Sequence, residues 1–376
     1  MKLAIVCYPT FGGSGVVATM LGTALAERGH EVHFVTYSQP VRLELLSRNI
    51  YFHEVNVEEY PLFHYQPYDL ALSSMLVNVV QEHGIELLHV HYAIPHAYAG
   101  YMAQQMLKDL GIHLPMVTTL HGTDITLVGN HPVYKPSVTF SINNSDVVTS
   151  VSESLKQDTL KLFDIKKHID VVPNFIDMST YQSEFKDCDR SVMAFPQERI
   201  IAHISNMRPV KRIMDVVKIF ELVEKEVPSI LIMVGDGPER AAAEEYGNKV
   251  GLRQKIKWVG NSNEIDRILC FSDLFLLPSE KESFGLAALE AMANRTPVVS
   301  TNTGGLPEVN EDGVSGYTSQ VGAIEEMARY AIDILKEDKN LNKFKNAAFA
   351  KAEQYDIKHI IPQYEKLYTD MLDLAH

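Results

Sequence analysis

Short apolar runs of strand length alternate with helical stretches along almost the whole chain, and few folds accept that rhythm. Leu3–Cys7 reads as a buried strand, Gly12-Gly13-Ser14-Gly15 as a turn, and Val16–Glu27 as a helix closed by Gly29. Further strands are expected at Val32–Tyr37, Tyr51–Val57, Leu87–His91, Met116–His121, Val147–Val151 and Ile169–Val172, with helices at Leu70–His83, His96–Leu110 and Glu153–Leu162. This β-α-β order calls for a parallel, doubly wound sheet. The rhythm stops at Pro173-Asn174-Phe175-Ile176-Asp177 and a polar stretch, Ser179–Gln197, where a linker is expected. It resumes with strands at Ile200–Ser205, Ile230–Val234, Ile256–Val259, Leu274–Leu277 and Pro297–Thr301. Helices are expected at Lys211–Lys225, Ile324–Lys336, Leu341–Glu353 and Ile360–Leu374.

The expected architecture is therefore α/β with two doubly wound, Rossmann-like domains, 1–172 and 198–356, joined by a linker at 173–197. A C-terminal helix at about 357–376 is placed to pack back on the first domain. Carboxyl ends of strands facing a central cleft are where such a fold binds ligands.

Charge and composition exclude several functions. Among 376 residues, 34 Lys+Arg face 48 Asp+Glu, a formal charge of −14, which disfavours nucleic-acid or anionic-membrane partners. No apolar run approaches the ~20 residues of a membrane helix. The first strand ends at Pro9 and lacks a signal peptide's longer apolar core. Cys7, Cys188 and Cys270 form no CxxC pair, so neither a zinc site nor a disulfide is expected, and a cytoplasmic setting fits. The sequence leaves a homo-oligomer open.

The segment Ser279-Glu280-Lys281-Glu282-Ser283-Phe284-Gly285-Leu286 follows a strand and runs into a helix expected to start near Phe284. Free N–H groups and the positive dipole end there suit a phosphate, while Glu290, about two turns inside, can reach a hydroxyl pair. Lys211 closes the first strand of the second domain, where a cation can neutralise a departing diphosphate. Gly12–Gly15 is not the dinucleotide GxGxxG pattern, so a nicotinamide-dependent dehydrogenase loses its main support. Twelve of the 15 histidines precede Pro173. His89 and His91 share a strand face, but no carboxylate accompanies them at ligand spacing, and core histidine is the favoured reading over a metal pair. No DxD motif closes a strand, since Asp187-x-Asp189 falls in the linker, so no metal and no cofactor are expected.

Together these motifs resemble the retaining glycosyltransferases of the GT-B fold, the glycogen- and sucrose-synthase-like group. Glu282 and Glu290 match its E-x7-E motif. Gly12–Gly15, His121-Gly122-Thr123, Val172-Pro173-Asn174, Lys211, Gly235-Asp236-Gly237-Pro238 and Gly304-Gly305-Leu306-Pro307-Glu308 extend the match over nearly the whole chain. The resemblance implies His121, Lys211 and Glu282 as catalytic residues. It implies Gly13, Ser205, Asn206, Arg208, Lys211, Asn261, Glu282, Ser283, Phe284, Gly285, Leu286 and Glu290 as the donor site. The family's Arg-x4-Lys reads Asn206-x4-Lys211 here, leaving Arg208 or Arg212 to supply the phosphate-binding guanidinium.

The stretches around Cys7-Tyr8-Pro9, His89–Ala97 and Thr118–Ile125 are most similar to the branch of this family that acts in bacillithiol biosynthesis. That resemblance implies UDP-N-acetylglucosamine as donor and L-malate as acceptor, with Ser14, Tyr92, Thr119, His121 and Thr123 at the acceptor and Arg42 as a further cation. Two alternatives are a lipid or other small acceptor and a nucleotide-sugar-binding module without turnover. A lipid acceptor calls for a basic face, whereas residues 1–172 carry 10 Lys+Arg against 16 Asp+Glu.

Overall fold

The structure, a computed structural model, describes every residue except 11, 59–60, 62–63, 183–187, 263 and 375–376. Its chain divides into two compact units, Met1–Phe175 with Ile357–His376, and Ile176–Asp356.

The first unit is built on β1 (Lys2–Val6), β2 (Glu31–Thr36), β3 (Ile50–Glu54), β4 (Leu87–His91), β5 (Met116–Leu120), β6 (Val147–Ser150) and β7 (Ile169–Val171). All pair in parallel in the order β3-β2-β1-β4-β5-β6-β7. Central strands are buried on both faces, which is why they read as unbroken apolar runs rather than alternating ones. On one face Val6, Val35, Leu88, Val90 and Met116 pack under Leu72, Leu76 and Val79 of the Tyr68–His83 helix and Ala103 and Leu107 of the Tyr98–Asp109 helix.

The Ile357–Asp373 helix belongs to this unit. It buries Tyr364 and Tyr368 completely. Glu365 on its flank takes a bidentate pair of bonds from Arg28 at 2.7 and 2.8 Å. Tyr368 meets His89 through its hydroxyl, 2.7 Å from Nδ1.

The second unit carries β8 (Arg199–Ile204), β9 (Ser229–Val234), β10 (Ile256–Gly260), β11 (Leu274–Leu277), β12 (Val298–Thr301) and β13 (Gly316–Ser319). They too are all parallel, in the order β10-β9-β8-β11-β12-β13. Val216, Phe220 and Val223 of the Ile213–Glu224 helix and Ala328, Ala331 and Leu335 of the Ile324–Leu335 helix cover Ile201, Leu231, Met233, Leu276 and Val299. Among the described residues no helix is long and apolar enough to cross a membrane.

The expectation about cysteines needs correction. Cys188 and Cys270 are joined as a disulfide, with Cα atoms 5.9 Å apart and a sequence separation of 82. Cys188 lies in the aperiodic polar stretch, whose return to the end of the Ile265–Cys270 helix no local pattern announces. Asp187 lies outside the described residues, and the Asp189 side chain caps a short turn by accepting from Ser191 N–H at 2.9 Å.

Candidate active site

In an open parallel sheet the strand order reverses once, and the loops leaving that point diverge to form a crevice. In the first unit the reversal falls between β1 and β4, in the second between β8 and β11. The sequence motifs sit on these four loops and their neighbours.

In the first unit the loop after β1 turns into the Gly13–Glu27 helix. A Cβ on Gly15 would stand 2.5 Å from the carbonyl oxygens of Tyr8 and Thr10, so only glycine lets the helix start this close. Ser14 Oγ then lies 2.8 Å from the Tyr92 hydroxyl. One strand over, His121 Nε2 lies 2.8 Å from His91 Nδ1. Asp124 accepts from the backbone N–H groups of Ala93 at 2.9 Å, Gly122 at 2.9 Å and His121 at 3.2 Å, pinning the loops after β4 and β5 to each other. Tyr8, Tyr92, Tyr98, Thr123, Asp124 and Tyr134 are among the residues lining a cavity of about 600 Å³.

Burial governs ionisation here. Desolvation pushes His121 down to about 3 and His96 down to about 4, so both rings are neutral near pH 7. Desolvation raises Asp124, while its backbone donors pull the other way. The Tyr92 phenol is raised to about 12, chiefly by burial.

In the second unit β8 leads into Ser205–Arg208 and a short 3-10 turn, Pro209–Lys211. Gly235, at φ 107°, passes so near that a Cβ would meet Ser205 O at 1.8 Å. The loop after β11 carries Ser279 and Glu282. Lys211 Nζ donates to Glu282 Oε1 at 2.5 Å, and Ser279 Oγ donates to the same oxygen at 2.8 Å. Glu280 N–H binds Val210 O at 2.7 Å and Gly305 N–H binds Glu282 O at 3.0 Å, so the loops are locked through their backbones as well. Gly285, at φ 102°, caps the Leu286–Ala293 helix, whose first-turn N–H groups have no acceptor within the helix.

The structure thus brings Ser14, Tyr92, His121 and Thr123 together in one unit. In the other, Ser205, Lys211, Glu282, Ser283, Phe284, Gly285 and Leu286 lie on adjoining loops at the sheet's switch point. Thr119 stands apart from the cavity: it is fully buried, with Oγ1 2.7 Å from both His89 Nε2 and Thr149 Oγ1. His89 is therefore a satisfied core histidine, bonded at both ring nitrogens. Arg42 is exposed and lies outside the cavity's lining. The helix starts at Leu286 rather than near Phe284, because Gly285 takes a left-handed conformation, so Glu290 lies about one turn inside, not two. Of the two candidate arginines, Arg212 is engaged by Asp215 at 2.5 Å, whereas exposed Arg208 has no side-chain partner among the described residues. Asn206 and Asn261 are exposed on the loops that follow β8 and β10. Asp124, whose place beside His121 in sequence suggests a partner for that ring, binds backbone N–H groups instead. Ser279 and His91 join the site with no sequence signal beyond a place at or next to a strand's carboxyl end.

Two parallel sheets with these groups at their switch points define a GT-B glycosyltransferase. Residues 11–180 match the model of Glycosyltransferase Family 4 and residues 186–351 that of Glycosyl transferases group 1. A protein of Bacillus anthracis described as N-acetyl-alpha-D-glucosaminyl L-malate synthase is 44% identical over 99% of this chain and 97% of its own length. The chain belongs to this glycosyltransferase family. Solved structures with the same fold include Anabaena HepE in complex with UDP and glucose, with a TM-score of 0.82, 19% identity, and coverage of 98% of this chain and 99% of that one. Sucrose-phosphate synthase of Thermosynechococcus elongatus matches with a TM-score of 0.80, 18% identity and 99% coverage of both chains.

Proposed function

We propose that the protein transfers N-acetylglucosamine from UDP-N-acetylglucosamine to the hydroxyl of L-malate with retention at the anomeric carbon, the first step of bacillithiol synthesis. The observation that carries the chemistry is the Lys211–Glu282 contact at the second unit's switch point. The substrates come from the 44% identical Bacillus anthracis relative, which aligns end to end.

In the proposed step the bond from the anomeric carbon to the β-phosphate oxygen breaks, and UDP departs with the electron pair. Lys211 and the N–H groups of Phe284, Gly285 and Leu286 meet the charge that builds on the diphosphate, as preorganised donors do best. Arg208 is the available guanidinium for the same task. Glu290 grips the ribose diol. The malate oxygen bonds to the anomeric carbon on the face that UDP leaves, and its proton passes to the departing phosphate oxygen. His121 contacts the sugar and takes no proton, because a ring held near 3 is a weak base at neutral pH. Asp124 cannot orient it as a base, since its oxygens are committed to backbone N–H groups.

The test is incubation with UDP-N-acetylglucosamine and a panel of small hydroxy acids, with products read by mass spectrometry. A malate adduct of one N-acetylhexosamine with stoichiometric UDP release is expected. Transfer to another acid in preference to malate overturns the acceptor, and no UDP release with any acceptor overturns catalysis.

A further inference from the structure

We propose that His33, His53 and His83 form a binding site for a divalent transition metal, Zn(II) by chemistry, on the outer edge of the first unit's sheet. His33 projects from β2, His53 from the neighbouring edge strand β3, and His83 is the final residue of the Tyr68–His83 helix. One ring nitrogen from each lies within 4.8 Å of the other two. Tetrahedral zinc with bonds of ~2.0–2.1 Å holds its nitrogens roughly 3.4 Å apart, so the closest pair has only to part slightly and the wider ones to draw in by about an ångström.

The tightest pair is already aimed at a common point, with His33 Nδ1 2.8 Å from His53 Nε2. On the other side of the ring, His33 Nε2 lies 3.1 Å from Glu31 Oε1, a carboxylate that also pairs with Lys2 at 3.1 Å. A carboxylate there requires the proton on Nε2, which turns the Nδ1 lone pair toward the cluster. The carboxylate–imidazole pair is the usual support behind a metal-ligating histidine. An ion would take the place of the proton now shared between His33 and His53.

His33 is buried and stacked on Tyr51 at 4.6 Å, so it is a fixed ligand, while His83, 36% exposed, leaves a fourth position to water. Burial and the two neighbouring rings push His53 down to about 4, which keeps it in the neutral form that ligates. The three donors are imidazoles, which select zinc, nickel or copper over magnesium or calcium. Bound, the ion ties the edge strand to the far end of the helix that follows it. This site stands apart from the loops assigned to sugar transfer.

Equilibrium dialysis of the full chain against Zn(II), with metal counted by emission spectroscopy, should give one ion per chain. Co(II) should give the strong visible bands of a four-coordinate centre, and thermal unfolding should shift upward with either metal. His53→Gln and His83→Gln, both at partly exposed positions, should each weaken binding at least ~10-fold with unchanged circular dichroism, and Glu31→Gln should weaken it ~10–100-fold as a positioning residue. No stoichiometric zinc, a six-coordinate Co(II) spectrum, or zinc retained in His83→Gln and so held elsewhere, for example by reduced Cys188 and Cys270, each overturns the site. Sugar transfer by His83→Gln should match that of the unaltered protein, so a failure of the metal site leaves the proposed activity standing.

Discussion

Lys211 Nζ lies 2.5 Å from Glu282 Oε1 although 71 residues separate them in sequence. The two side chains are only 21% and 13% exposed, so the ammonium is held ready beside a carboxylate before any diphosphate arrives. Lys211→Ala should therefore lower kcat by about 10²–10³, the usual cost of removing one preorganised donor from a developing charge. The loss should be much smaller with a donor sugar whose leaving group needs no charge stabilisation. Equal losses with both donors would assign Lys211 to folding instead.

Glu290→Gln should act on binding. A carboxylate gripping a ribose diol makes charge-assisted bonds of about 1.5–3 kcal/mol each, so the loss should appear in the UDP dissociation constant. Glu282→Gln should mainly lower the catalytic rate. Calorimetry giving the same UDP affinity for Glu290→Gln and the unaltered protein would remove Glu290 from the ribose.

The product should be α-linked. Asp124 is held by backbone donors and His121 faces His91, so these two do not form a carboxylate–imidazole base that could drive inversion. NMR of the product should show the small anomeric coupling of an equatorial proton. A large trans-diaxial coupling means inversion and a different base.

Turnover should persist in excess chelator, because Lys211 and helix N–H groups provide the positive charge that a metal supplies in Asp-rich transferases. Complete loss of turnover, restored by added divalent ion, would reject this. Zinc at His33, His53 and His83 acts on the melting temperature instead, so the two readouts separate.

Acid should destabilise the fold well before carboxylates titrate. Histidine in an unfolded chain titrates near 6.5. Burial holds His89 and His121 down at about 3 and His96 and His203 at about 4. Between those values the unfolded chain binds more protons than the folded one, so stability is lost as pH falls below about 6.5. The slope reaches about 1.4 kcal/mol per pH unit for each such ring. Above about pH 7.5 this contribution is flat. Denaturant midpoints at about pH 7.5 and about pH 5 should differ clearly, and a level profile would contradict the burial of these rings as neutral species.

Lys211 and Glu282 were legible in sequence because each follows an unbroken apolar run, and a parallel sheet fixes which end of that run carries function. β13 escaped notice because Gly316-Tyr317-Thr318-Ser319 contains no such run. The start of the 286–293 helix was misplaced because a single glycine at positive φ decides it. Other relationships have no sequence period at all. His89 is satisfied by Tyr368, 279 residues away, and the three edge histidines meet only because β2 pairs with β3 under the end of a helix. Contacts of that kind are set by topology, so spacing draws attention to His89 and His91, of which His89 is the core histidine expected, and is silent about the edge trio.

The helix at Ile357–Asp373 has a consequence for how the protein is made. Its tyrosines complete the interior of a unit whose other strands and helices all precede residue 176. At ~5–20 residues per second, the ribosome needs roughly 10–40 s to travel from the end of that first block to the helix that closes it. Throughout that interval His89 and the surface that Tyr364 and Tyr368 will cover stand open to water. The nascent first unit should therefore be exposed to aggregation until the second has emerged, and a fragment ending at residue 175 should need the 357–373 peptide, supplied separately, to become soluble and cooperative in unfolding.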